Sequence, residues 1–120
     1  MIEIEEMPDR AFVTLKLSGI VTRADVDASL PRLELAFGEQ ARLRLYVELV
    51  GLDRFETAGL WEELKFQLRY RDRIERVAFI VASPGEAWAG WLAQQLAEGE
   101  CRRFGLGEEA QAVTWLLEAG

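Results

Sequence analysis

The run Leu43-Arg44-Leu45-Tyr46-Val47-Glu48-Leu49-Val50-Gly51-Leu52-Asp53-Arg54-Phe55-Glu56-Thr57-Ala58-Gly59-Leu60-Trp61-Glu62-Glu63-Leu64 decides the fold, because a strand, a loop and a helix entry meet in it. Leu43, Leu45, Val47 and Leu49 alternate with Arg44, Tyr46 and Glu48, the period of two of a strand with one face on a core. Gly51 marks the end of that alternation. Beyond the loop, Leu60, Trp61, Leu64 and Leu68 recur at helical spacing, and Thr57 stands where a hydroxyl accepts from an unpaired N–H of the first turn. This helix, over 58–70, has a second apolar side: Phe66 and Tyr70 project opposite the first stripe and must meet solvent, another helix or a partner.

Upstream, Ile2 and Ile4 alternate with Glu3 and Glu5, and Met7-Pro8-Asp9-Arg10 reads as a turn into a second strand, Phe12 to Leu17, closed by Gly19. A hairpin is expected. Thr22 and Asp25 form an acidic variant of the capping box, which predicts a helix from Thr22 to Phe37 with Val26, Leu30, Leu33 and Phe37 on its buried side. Pro31 should bend it, and Leu35 falls on the opposite side as an exposed contact residue. Downstream, Val77 to Val81 is an apolar run suited to a strand covered on both faces. Ser83-Pro84-Gly85-Glu86 then opens a third helix carrying Trp88, Trp91, Leu92 and Leu96. Cys101 to Phe104 is a short last strand, and Ala110, Val113 and Leu117 form the stripe of a fourth helix beside Trp115 and Leu116. The order ββαβαβαβα predicts a single α/β domain over residues 1–120, with a mixed sheet of about five strands and four helices.

Bulk properties narrow the function. Half of the 120 residues are hydrophobic and 29% are charged, ordinary values for a globular domain. There is no histidine, so a histidine triad, a histidine zinc site and imidazole acid-base chemistry are excluded, and the one cysteine, Cys101, lacks its usual activating base. No metal or cofactor motif is present. The net charge of −7 argues against nucleic-acid binding. Apolar runs fall short of the ~20 residues of a membrane span, and Met1-Ile2-Glu3-Ile4-Glu5 has no leader character, so a cytoplasmic location is expected. The charge is uneven: Lys65 to Arg76 holds five basic residues against two acidic, +3 in a chain whose other 108 residues carry −10.

The run Leu45 to Leu64 resembles the central signature of the SpoIIAA-like, or STAS, domains, the anti-anti-sigma-factor fold. There an apolar strand ending in an acid precedes a loop with Asp-Ser-x-Gly-Leu at a helix start; here Glu48 and Glu56-Thr57-Ala58-Gly59-Leu60 stand in those places. The resemblance implies that Thr57 inherits the position of the phosphoacceptor and partner contact. The wider chain is similar to a bacterial SpoIIAA-like branch through Gly19-x-x-Thr22-x-x-Asp25, Leu60-Trp61-Glu62-x-Leu64-Lys65-Phe66, Trp88-x-x-Trp91-Leu92 and Trp115-Leu116. That branch is compared with CRAL-TRIO lipid-transfer domains, which implies an apolar ligand and peripheral association with the inner membrane surface.

Three functions are therefore expected in order. The first is a non-catalytic binding module for a lipid-like small molecule, lined by Trp61, Phe66, Tyr70, Trp88 and Trp91, with Arg69, Arg71 and Arg73 addressing an acidic headgroup. The second is a protein-interaction switch acting through Thr57. The third is a homodimer without ligand, formed through Leu35 or through Phe66 and Tyr70. Each site residue also has a structural reading: Thr57 as a plain helix cap, the tryptophans as core, the arginines as partners for nearby acids. Glu62 and Glu63 point about 100° apart on a helix and form no catalytic pair, and Glu48 with Glu56 is a weaker candidate for acid-base work.

Overall fold

In a computed structural model, which describes residues 1–7, 12–37, 42–57, 73–82 and 100–118, the alternating segments become five strands. They are β1 (Ile2–Met7), β2 (Phe12–Val21), β3 (Leu43–Phe55), β4 (Ile74–Val81) and β5 (Glu100–Gly105); two helices, α1 (Arg23–Phe37) and α2 (Glu109–Leu117), accompany them. The strands lie in sequence order across one sheet, β1 antiparallel to β2 and every later pair parallel, so the sheet is mixed as expected. The expected number of helices is corrected: the described residues hold two, not four. The helices expected over 58–70 and through Trp88 to Leu96 lie outside the described residues.

Two strands run well past the glycines expected to end them. β2 continues from Leu17 through Gly19 to Val21, and β3 from Leu49 through Gly51 to Phe55. The cause is a pair of register shifts, between Lys16 and Ser18 and between Gly19 and Ile20, which set Ser18 opposite Gly51 and Gly19 opposite Leu52. A glycine inside a strand marks an irregular pairing or a close backbone approach as readily as a terminus. Both uses occur here. Gly19 has φ +62°, a left-handed conformation costly for a residue with a Cβ, and a Cβ on Gly51 would stand 3.3 Å from the Cβ of Ser18.

α1 and α2 contribute to two different apolar clusters. Val26, Leu33 and Ala36 of α1, with Leu30 beside them, join Val13, Leu17, Leu45, Val47, Val77 and Phe79 in the larger one. Phe12, Tyr46, Ala78, Ile80 and Phe104 join Ala112, Trp115 and Leu116 of α2 in the smaller. β4 feeds both, and its residues from Val77 to Val81 are buried throughout, as the continuous apolar run predicts. Two expectations fail here because α2 covers the second face of the sheet. Alternation places Tyr46 on the face of β3 away from the core, and periodicity makes Ala110, Val113 and Leu117 the stripe of the last helix with Trp115 and Leu116 beside it; instead Tyr46 is buried, and α2 turns Ala112, Trp115 and Leu116 inward. The bulky Trp115 ring is worth more when buried than the smaller side chains that it displaces toward solvent.

The end of α2 explains one member of the basic window. Arg76, 8% exposed, donates from Nη1 to the Trp115 carbonyl (2.6 Å) and holds its guanidinium 5.1 Å from the Trp115 ring. Arg44 donates to the carbonyls of Leu116 and Glu118. Two cations thus satisfy the terminal carbonyls of a helix with no basic residue in its last turn. Arg76 therefore belongs to the scaffold rather than to a basic surface.

Phe79→Ala should cost about 3–5 kcal/mol, since it empties a fully buried site, whereas Leu35→Ala, at a position 79% exposed, should stay within about 0.5 kcal/mol. Urea unfolding of the two variants checks both.

Candidate functional site

The added length of β2 and β3 carries their ends beyond the regular part of the sheet, to the start of α1. There the capping box forms as expected: Thr22 Oγ1 accepts from the Asp25 N–H (3.2 Å) and Asp25 Oδ2 accepts from the Thr22 N–H (2.9 Å). A second carboxylate arrives from β3. Val21 pairs with Phe55, the Glu56 N–H donates to the Val21 carbonyl (2.8 Å), and a Glu56 side-chain oxygen accepts from the Arg23 N–H (3.0 Å). Two acidic side chains from separate elements therefore meet the first turn of α1, where the helix dipole and unpaired N–H groups favour negative charge. The Asp25 carboxyl is held below its ordinary value, chiefly by the hydrogen bond from the Thr22 backbone. The Met1 ammonium adds a smaller pull from 3.4 Å and donates to the Ser18 carbonyl (2.7 Å).

Thr57 follows directly and is exposed. Its hydroxyl thus lies one residue beyond a hydrogen-bonded stitch between the β3 loop and α1. The helix expected to follow it, over 58–70, lies outside the described residues. So do Trp61, Phe66, Tyr70, Trp88, Trp91, Arg69 and Arg71. Arg73 is described, half-buried just ahead of β4. Glu48 and Glu56 do not converge: eight residues of β3, at roughly 3.3 Å each, separate them. Cys101 is half-buried and its thiol is pushed up by burial, the opposite of an activated nucleophile.

A second feature was not foreseen. On the α2 side of the sheet an open groove of about 350 Å³ is lined by Glu5, Phe12, Thr14, Lys16, Tyr46, Glu48 and Val113. The Phe12 and Tyr46 rings meet in its floor with centroids 6.2 Å apart. The Tyr46 phenol is pushed up, first by burial and then by the nearby charges of Glu48 and Glu109. The sequence signal was the set Arg44, Tyr46, Glu48, which alternation alone consigned to solvent.

A mixed five-stranded sheet, with helices packed on it, defines the class: an α/β domain. The chain belongs to the SpoIIAA-like family, whose profile matches residues 12–117. An uncharacterised protein with a SpoIIAA-like fold from Shewanella loihica PV-4 shares 26% identity over 97% of this chain and 92% of its own, with a TM-score of 0.76. The anti-sigma factor antagonist SpoIIAA in its unphosphorylated form matches at 17% identity over 96% of this chain and 98% of its own, TM-score 0.61. The phosphorylated form of the Bacillus cell fate determinant SpoIIAA matches at 16% over 94% and 99%, TM-score 0.57. These last two likenesses establish the fold alone. A search of the curated proteins found no match. No helix among the described residues is long and apolar enough to cross a membrane.

The capping box makes a pH-dependent prediction. Because the folded Asp25 carboxyl titrates below its ordinary value of 3.8, its contribution is complete above that pH and is lost as pH falls through the folded value. Asp25→Asn should therefore melt lower than the parent at pH 7, with the gap closing below pH 3.8. Thr22→Ala should cost about 1 kcal/mol. Thermal melts from pH 7 down to the acid range check both.

Proposed function

We propose that this chain acts as one non-catalytic domain, a protein-interaction switch of the anti-anti-sigma kind, with Thr57 and its loop as the contact that a partner kinase or regulator reads. The single observation that carries this reading is the double tie from Glu56 to the start of α1, with Thr57 exposed beside it. Family membership supports it, as does the name of one structural neighbour, which calls SpoIIAA an anti-sigma factor antagonist.

The electrostatics suggest how such a switch works. A phosphoryl group on Thr57 brings about −1.5 to −2 charges next to the Glu56 carboxylate, so the two repel. Glu56 is the group that yields, because its side chain holds α1 through one exposed hydrogen bond of 3.0 Å, too weak to keep a carboxylate beside a doubly charged neighbour. Modification then loosens the loop from α1 and changes the surface that a partner meets. The expected lipid site finds no comparable support. Its ring-bearing residues lie outside the described part of the chain, and the names of the family and of the structural relatives do not mention lipid.

Incubation with serine/threonine kinases and radiolabelled ATP should label the parent chain and not Thr57→Ala. Independently of any partner, Thr57→Glu should speed amide exchange at Arg23 and Glu56 about tenfold over Thr57→Ala, the equivalent of one hydrogen bond lost. Unchanged protection at both amides overturns the coupling, and labelling that survives Thr57→Ala overturns the assigned acceptor.

A further inference from the structure

The groove on the α2 side of the sheet has a chemistry that the Thr57 loop does not use. Its floor is aromatic, Phe12 against Tyr46, and its charged lining is two carboxylates, Glu5 and Glu48, with one ammonium, Lys16, a net charge of −1. Glu48 makes no ion pair among the described residues. Among the described residues Glu5 pairs with Lys16, at 3.9 Å, and both side chains are well exposed, so that pair is weak and readily displaced. Glu109 of α2 adds negative potential at Tyr46. An acidic lining alone would be an ordinary solvated surface.

Two hydroxyls make it more than that. Thr14 is 4% exposed and Tyr46 9% exposed, and both line the groove. Neither side chain makes a hydrogen bond among the described residues and neither oxygen is sealed from solvent, so both are open to a donor that enters the groove. Each is held in place by its strand, Thr14 opposite Tyr46 in the β2–β3 register. The result is a pair of unpartnered oxygens beside an aromatic floor with a carboxylate at Glu48. Faces of aromatic rings, hydroxyl acceptors and a carboxylate are the complement of one ligand chemistry, a cation that carries N–H donors.

We propose that this groove binds a small organic cation, an ammonium or guanidinium on a short apolar stem, with its charge at Glu48, its N–H groups donating to Thr14 and Tyr46, and its stem against Phe12 and Val113. The volume of about 350 Å³ lies at the lower end of small-molecule sites, so the ligand is a compact molecule. The chain's net charge of −7 draws cations toward the surface. This site is separate from the Thr57 loop, and each stands or falls without the other.

The test is titration of the full-length chain with agmatine, followed by calorimetry and by amide chemical shifts in NMR, with n-pentanol as the uncharged control. Saturable binding is expected, with shifts centred on Thr14, Tyr46 and Val113 and none at Arg23. Glu48→Gln should weaken it about tenfold, the worth of one charge-assisted hydrogen bond. Thr14→Val, which keeps the shape, should weaken it several-fold without lowering the melting temperature. No saturation up to about 10 mM agmatine, a dissociation constant too weak to count as recognition, overturns the proposal. So does equal binding of n-pentanol, or unchanged affinity in both variants. Binding of an arginine-containing peptide but not of agmatine also overturns it, in favour of a partner's side chain.

Discussion

The parallel pairing of β2 with β3 is the constraint on which both candidate sites depend. Over its first part the register is regular, Val13 with Leu45 through Lys16 with Glu48, and it sets Thr14 beside Tyr46. Two irregularities later the pairing resumes and ends at Val21 with Phe55. Had the strands stopped at Gly19 and Gly51, the Glu56 loop would fall short of α1, since four further residues of β3 span roughly 13 Å. Gly51 lets the chains pass each other at the irregularity without a side-chain collision at Ser18, and Gly19 supplies the left-handed backbone there.

Charge in this protein is arranged by helix ends. The start of α1 receives Asp25 and Glu56, each on a backbone N–H, and the end of α2 receives Arg44 and Arg76 on its carbonyls. Both arrangements follow the helix dipole. They differ in what they leave exposed. Arg76 is sunk beneath Trp115, bonded and stacked, and is bridged to Glu100 and Glu118 at 3.7 and 3.8 Å, so that end is fixed. At α1 the bonds are made near solvent, where a competing anion can reach them. Only the second arrangement suits a reversible event.

Local rules were read well from the sequence, and long-range ones poorly. The hairpin of β1 and β2, the Thr22–Asp25 box, the buried run of β4 and the exposure of Leu35 depend on residues close together in the chain. Gly19 and Gly51 were misread because a glycine within a strand and a glycine ending one look alike until the partner strand is known. Tyr46 and the stripe of α2 were misread because periodicity gives the faces of an element but not which neighbour covers each. The groove was invisible for the same reason: Glu5, Thr14, Lys16, Tyr46 and Val113 come from four elements, and nothing in their spacing announces that they meet. Of the residues expected to hold a ligand, Trp61, Phe66, Tyr70, Trp88 and Trp91 lie outside the described part, so the lipid reading gains no structural footing.

The loop's departure from its family pattern has a physical rationale. Where the resemblance places Asp-Ser, this chain has Glu56-Thr57. Glutamate has one more methylene than aspartate, and that reach lets its carboxylate bond the Arg23 N–H while its own N–H bonds the Val21 carbonyl. Threonine keeps the hydroxyl but adds a methyl group that stiffens χ1, so the oxygen samples fewer orientations. On the proposed reading, the longer acid already fills the anion-binding position at α1, so a phosphate at position 57 meets like charge there instead of an open site. The unmodified loop is then the tied state and the modified loop the released one. In a loop whose acid did not reach α1, phosphate would instead meet an unoccupied helix start and tighten the junction. On that reading, the length of the side chain at position 56 decides the direction of the switch, and the oxygen at position 57 supplies its trigger.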